Sequence, residues 1–332
     1  MKGFKYLSMG ILSVFLLNCK NEDDTAPVNP DGPTEINYRQ EMRNFVGGIS
    51  NYAKGIKPGF VVIPQNGIEL LSKTGEEDGQ PDAAYLNFID AVGQEDLNYG
   101  YHADNQKTPA EETAYMNSFL ALAKQSGKTV MVTDYCSTHS KMDDSYAKNL
   151  AKAYISFAAN HRDLNNIPNY PEPVFNENNQ QINNISQARN FLYLINPEHY
   201  HTKSDFISAV SQTNYDLLVM DLFDNDNVAF TAQEINQLKV KANGGKRLVI
   251  CYMSIGEAED YRYYWNPGWI SQPPVWMDTE NPDWDGNYKV KYWHPDWQKI
   301  IYGTDGSYTK MILDAGFDGV YLDIIDAFEY FE

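Results

Sequence analysis

Beyond residue 37 the chain alternates between two periodicities. Tyr38 to Ile56 places Met42, Phe45, Val46, Ile49 and Tyr52 on one face at helical spacing. Short aliphatic runs bounded by Gly, Pro, Asn or Asp then recur, most separated by a helical stretch. They read FVVIPQNG, LNFIDAV (Leu86 to Val92), TVMVTDY, AYISFAA, NFLYLI, DLLVMD, RLVICYMS and DGVYLD. The pattern predicts helices from about Pro109 to Gly127, Met142 to Lys152, Ser204 to Gln212, and Thr231 to Ala242 with Thr231 as cap. Eight strands, apolar on both faces and mostly separated by helices, predict an α/β fold of the (β/α)8 TIM barrel type. A doubly wound open sheet is the alternative. It usually carries a Gly-rich nucleotide turn after an early strand, and none is present.

The last strand is the most informative. Along DGVYLD, Gly319, Tyr321 and Asp323 share one face, and Val320 and Leu322 take the other. Aliphatic side chains under the outer helices and an acid at the C-terminal rim suit a barrel strand, because that rim carries the chemistry of parallel α/β folds. Asp323 as a mere helix cap is the competing reading. DLLVMD echoes this strand: Asp216 and Asp221 are spaced like Asp318 and Asp323, which puts each pair on opposite faces.

The first eighteen residues change the picture of where the chain acts. Lys2 and Lys5 form a positive start, and Met9 to Leu17 is an apolar run too short to span a bilayer. The run ends Leu16-Leu17-Asn18-Cys19, which resembles a bacterial lipoprotein signal with Cys19 as the lipidated residue; Asn18 departs from the usual small residue there. An ordinary signal peptide is the alternative. Residues 19–36, rich in Pro, Asp, Asn, Thr and Gly, read as a flexible tether, and 37–332 as the barrel. These features imply a membrane partner through a lipid anchor and a location at the bacterial outer membrane or cell surface, with Lys20 to Asp24 resembling a surface-export tag.

Charge narrows the partners. The net charge is −19, and removing the leader makes it more negative still. Such a surface repels nucleic acid and favours a cationic ligand; simple solubility is the bland account. Cys136 and Cys251 show no disulfide framework or metal spacing, and Cys251 sits inside an apolar strand. His199 and His201 follow a strand, but no further histidine stands at the ends of the PQNG and GQEDL strands, and His102 lies too far along its loop, so no metal or cofactor is expected. No Gly-x-Ser-x-Gly elbow occurs.

AGFDGVYLDIIDAFEYF, PGFVVIPQNG, GQEDLNYGY, YDLLVMD and YYWNPGW…NPDWDGNYKVKYWHPDW together resemble the endo-α-1,4-polygalactosaminidase-like glycoside hydrolases, family 114 and its relatives. The resemblance runs from about Asn37 to the end. Block order departs from the family, where YLDIIDA precedes PQNG and EDLxYG. This implies a circular permutation, with the eighth strand pairing with the first. The resemblance further implies a cell-surface enzyme cleaving α-1,4-linked galactosamine-rich polysaccharide. Asp323 then fits the nucleophile or charge-stabilising carboxylate and Glu95 the acid/base, with Asp96 as the neighbouring alternative. Asp221, Glu257, Asp134, Gln65 and Asn66 at other strand ends, and Tyr193, are candidate sugar-binding groups. All six tryptophans, Trp265, Trp269, Trp276, Trp284, Trp293 and Trp297, lie between Ala258 and Trp297; Trp269 and Trp276, beside prolines, are the expected exposed platforms. A non-catalytic glycan-binding lipoprotein on the same barrel is the alternative function.

Overall fold

Helix α1 (Tyr38–Ile56) is the first element of the described residues, and it buries the face its periodicity marks: Met42, Phe45, Val46 and Ile49 have no exposed surface. The structure is a computed structural model that describes residues 36–332. The expected leader, Cys19 and the tether up to residue 35 lie outside the described residues.

In chain order β1 (Val61–Pro64), α2 (Ala83–Phe88), β2 (Ala91–Glu95), α3 (Ala110–Gln125), β3 (Thr129–Tyr135), α4 (His139–Ala151) and β4 (Ile155–Ala159) follow α1. Then come β5 (Leu192–Tyr193), α5 (Lys203–Ser211), β6 (Leu217–Met220), α6 (Ala232–Leu238) and β7 (Leu248–Ser254). Three short strands, β8 (Glu257–Glu259), β9 (Met277–Glu280) and β10 (Asn287–Val290), precede α7 (Pro295–Ile301), α8 (Tyr308–Asp314) and β11 (Gly319–Asp323).

Eight strands parallel to their neighbours are present, the second of them later in the chain than expected, and they fall into two sheets. One runs β1-β11-β7-β6-β5 and the other β2-β3-β4. The first and last strands pair over Val61–Gly319 to Pro64–Leu322. A bridge between Gln65 and Gly93 joins β1 to β2, helped by the Asn66 N–H donating to the Gly93 carbonyl at 2.9 Å. At the other seam β5 is only two residues long. Beside it the Asn190 side chain accepts from the Asp216 N–H at 2.7 Å and donates to the Asn176 carbonyl, instead of extending a ladder. The structure thus shows a mixed α/β arrangement with parallel sheets, bridged between β1 and β2, in which no continuous ladder joins β4 to β5 among the described residues.

Two further expectations change. Leu86 to Val92 is not one strand: Asp82 accepts from the Tyr85 N–H at 2.9 Å, caps α2 and carries the apolar run through a turn of helix before β2 starts. The long aromatic stretch is not irregular, because β8, β10 and β9 form an antiparallel sheet within it.

The two ends of the strands differ in kind. At the N-terminal end, Asp318 is held by Lys239 and Lys57 at 2.7 and 3.3 Å and accepts from the Val249 N–H. Asp216 is held by Lys241 at 2.8 Å, with both groups fully buried. These ion pairs tie strands to neighbouring turns. The C-terminal end carries Glu95 and Asp323.

Candidate active site

Glu95 ends β2, and Asp323 ends β11. Strand alternation puts Gly93 and Glu95 on one face and Tyr321 and Asp323 on one face. The chain turns sharply after each acid. Asp96 and Ile324 both adopt left-handed backbone (φ 58° and 57°), as does Asn66 after β1 (φ 59°). For a β-branched residue such as Ile324 this conformation costs about 1–3 kcal/mol, and it persists where the surrounding fold imposes it.

Glu95 is fixed from both sides. One carboxylate oxygen accepts from the Gln65 amide at 2.5 Å and the Asn66 amide at 3.3 Å, and the other accepts from the Tyr135 hydroxyl. Both amides are locked in orientation. The Gln65 carbonyl accepts from the Tyr193 hydroxyl at 2.8 Å, and the Asn66 carbonyl accepts from the Glu95 N–H at 3.2 Å. The N–H groups of both amides therefore point at Glu95.

Asp323 has one side-chain donor, the Tyr252 hydroxyl at 2.6 Å. Burial, and after it the charge of Glu95, push its carboxyl up to about 7. Asp326, on the turn that follows, also rises to about 7, through burial and then the nearby Asp323 and Glu329. The site thus gathers more negative charge than it can hold fully ionised at neutrality.

Tyrosines build the floor. Tyr135, Tyr193 and Tyr252 donate to Glu95, Gln65 and Asp323 respectively, and all three are buried or nearly so. A fourth, Tyr321, packs edge-on against Tyr193 at 5.2 Å, and its hydroxyl lies against Gly93. A Cβ at position 93 would stand 2.0 Å from that hydroxyl, so only glycine lets the ring sit there.

The other expected residues separate into groups. Gln65, Asn66 and Tyr193 belong to the site. Asp96, the alternative acid, turns away to Arg162 at 2.9 Å; Arg162 in turn lies over the Tyr135 ring at 3.8 Å. Asp221 faces Arg262 through both oxygens at 2.7 and 3.0 Å. Because Arg262 also pairs with Glu259 at 2.6 Å, this acid fastens the aromatic segment to β6. Glu257 is fully buried and accepts from Asn281, Asn287 and Tyr330. Asp134 is fully buried under Asn98, Tyr99, Ser145 and Asn149. These three acids have their hydrogen bonds filled by the fold, so their strand-end positions serve construction.

The platform expectation is corrected for Trp276. It is 4% exposed and lies between Trp269 and Trp297, at 5.0 and 4.9 Å. Trp269 is half-buried against Trp265 and Trp276. The exposed indole is Trp284, at 63%. Proline neighbours pointed to loops, but aromatic area drives these rings onto one another. His199 and His201 are exposed, and no metal-holding group of His, Cys, Asp or Glu occurs among the described residues. Cys136 and Cys251 are buried and free.

Sequence reasoning passed over Tyr135, Tyr252 and Arg162. The signal for Tyr252 was available: it lies opposite Tyr321 in the β11–β7 register, two residues short of the strand end. Arg162 gave none, since its role depends on three loops meeting.

Residues 172–332 match the model of glycoside-hydrolase family GH114. An uncharacterized protein of Methanocaldococcus jannaschii is 43% identical over 155 residues, covering 46% of this chain and 42% of the relative. A Deinococcus radiodurans protein is 41% identical over 123 residues, covering 37% of each chain. One from Thermotoga maritima is 37% identical over 121 residues, covering 36% of each. The chain thus spans less than half the length of the curated relatives it matches. The family match covers the C-terminal part of the chain, just under half of it. It includes Asp323 and stops short of Glu95.

Proposed function

We propose that this chain is a glycoside hydrolase whose acid pair is Asp323 and Glu95, acting on an α-1,4-linked, galactosamine-rich polysaccharide. The observation that carries the reading is the pair itself. Two carboxyl groups end two strands on the same rim, each is held by tyrosine, and the charge of Glu95 bears on Asp323. Glycosidic cleavage needs one carboxyl group that donates a proton to the leaving oxygen and one that meets the positive charge at the anomeric carbon.

Burial, and after it the charge of Glu95, raise Asp323 to about 7, so near neutral pH it holds its proton part of the time. A cationic amino sugar removes that cause. Its ammonium, and then the oxocarbenium charge, favours ionised Asp323 and leaves the proton for Glu95 to deliver. Asp323 then acts as nucleophile or charge stabiliser. Glu95 protonates the glycosidic oxygen as the C–O bond breaks and later takes a proton from water. Asp326 adds negative charge beside the same sugar. The acidic chain as a whole draws a polycation.

Location and topology rest on the sequence. The Lys2 to Cys19 leader supports a lipid-anchored protein at the outer membrane or cell surface. The pairing of β11 with β1 and the start of the family match at residue 172 support a circularly permuted relative of the family barrel.

The test is reducing-end release from purified galactosamine polymer. Wild type is expected to release ends. Asp323→Asn and Glu95→Gln are expected to lose activity by about 10²–10⁴-fold, the range for a positioned acid or base. Wild type that binds polymer and releases nothing would return the chain to the non-catalytic glycan-binding reading.

A further inference from the structure

A second polar cavity opens on the same rim, across the Arg162 side chain from Glu95. Its volume is about 310 Å³. Three loops build it. Asp104 comes from the loop after β2, His139 from the start of α4 after β3, and Asn160 and His161 from the turn after β4. Asn169 and Tyr170 close it. The loops leave the C-terminal ends of their strands, so the cavity and Glu95 share one end of the sheet.

Its walls suit a sugar ring. His139 and Tyr170 lie face to face, with centroids 3.8 Å apart and planes 6° apart, so each ring covers one face of the other in the cavity lining. The Tyr170 hydroxyl donates to Asp143 at 2.6 Å, which fixes the ring. Asp104 gives one oxygen to Arg162 at 2.7 Å and keeps the second open. The side chains of Asn160, His161 and Asn169 have no hydrogen-bond partner among the described residues, although each carries both a donor and an acceptor. A flat ring with convergent amides, imidazole and a carboxylate oxygen is the chemistry that takes up a hydroxyl-rich pyranose, and the volume lies at the lower end of ligand sites.

Arg162 links the two places. It donates to Asp96, next to Glu95, and to Asp104 in the cavity wall, and it covers the ring of Tyr135, whose hydroxyl donates to Glu95. We infer that this cavity is an accessory subsite that binds a remote pyranose of the same amino-sugar chain whose scissile bond lies at Glu95 and Asp323. The inference deepens the hydrolase reading and rests on it only for the identity of the polymer.

The test uses the histidine ring signals of the full chain in a magnetic-resonance titration, with a galactosamine oligosaccharide and its N-acetylated form as separate probes. The His139 and His161 signals are expected to shift saturably with at least one probe, while His199, His201 and His294 stay still. In Asn160→Ala/His161→Ala the affinity of an Asp323→Asn background for the long oligosaccharide is expected to fall about tenfold, the loss from two ordinary hydrogen bonds. The single variant Asn169→Ala is expected to weaken it in the same direction if the double variant does not fold. Still histidine signals with both probes, or unchanged affinity in the folded variants, overturns the subsite. If the signals shift while wild type releases no reducing ends, the cavity stands as a glycan-binding site and the hydrolase reading, with the accessory role, falls. If ends are released without any shift, the subsite falls and the hydrolase reading stands.

Discussion

Asp323 and Glu95 matter as a pair because neither has an ordinary environment. Asp323 is raised to about 7 by burial and by the charge of Glu95, so below that pH the pair keeps its proton and above it the proton leaves. A glycosidase needs that proton for the leaving group. We therefore expect kcat/KM to fall about tenfold per pH unit as pH rises past about 7, with the limb read in the free enzyme. A profile flat from pH 6 to 9 would remove Asp323 and Glu95 as the titrating pair. Gly93 is the second residue whose identity is forced. Gly93→Ala drives a methyl into the Tyr321 hydroxyl, and it is expected to cost about 1–3 kcal/mol in chemical denaturation. Tyr321→Phe in the same chain should return part of that loss, because it removes the atom in closest contact. Asp323 was visible as a strand-end residue in the sequence, whereas Glu95 came only through the family resemblance, past a run expected to end at Val92. The locking of Glu95 by Gln65, Asn66 and Tyr135 was not, since it needs three strands in register and two amides oriented by third parties.

At the scale of elements, the segment carrying β8, β9 and β10 behaves as an aromatic layer fastened by ions. Trp265, Trp269, Trp276 and Trp297 contact one another in series, and Arg262 pins the layer to Asp221 and Glu259. Trp276→Ala is expected to destabilise the protein by about 3–5 kcal/mol, the usual result for a buried large ring. Trp284→Ala should change stability by less than about 0.5 kcal/mol, because its ring is exposed. Thermal or denaturant unfolding of the two variants side by side checks the contrast. Equal losses would mean that the exposed ring is structural after all. Composition showed that this segment is unusual. It could not say which indole faces water, because every one of them has apolar area that any neighbour can cover.

Across the whole molecule, the first and last described elements meet. Arg39 on α1 forms a two-point pair with Glu332 at 3.0 Å, and Tyr38 packs on Phe331 at 5.6 Å. Chain order is therefore loosely coupled to spatial order. A chain in which residue 332 is joined to residue 38 by a short flexible linker, and which is opened before residue 172, is expected to fold. Its circular dichroism should match the parent, with stability within about 2 kcal/mol and any reducing-end release retained. Failure to fold as a monomer would count against the permuted reading.

The sequence by itself determined the parallel α/β architecture, most of its strands and the acid that ends the last one. Each is written locally, in side-chain periodicity and in the residue at the end of a run. Tertiary structure decided the rest. It left the ladder open at β5, where Asn190 bonds to Asp216 and Asn176. It turned Asp134, Glu257 and Asp221 into internal fastenings, because burial obliges each carboxylate to find donors wherever the fold supplies them. It also raised Asp323, since a pKa depends on water excluded and charge brought near, and residues 95 and 323 acquire that proximity only when the strands assemble.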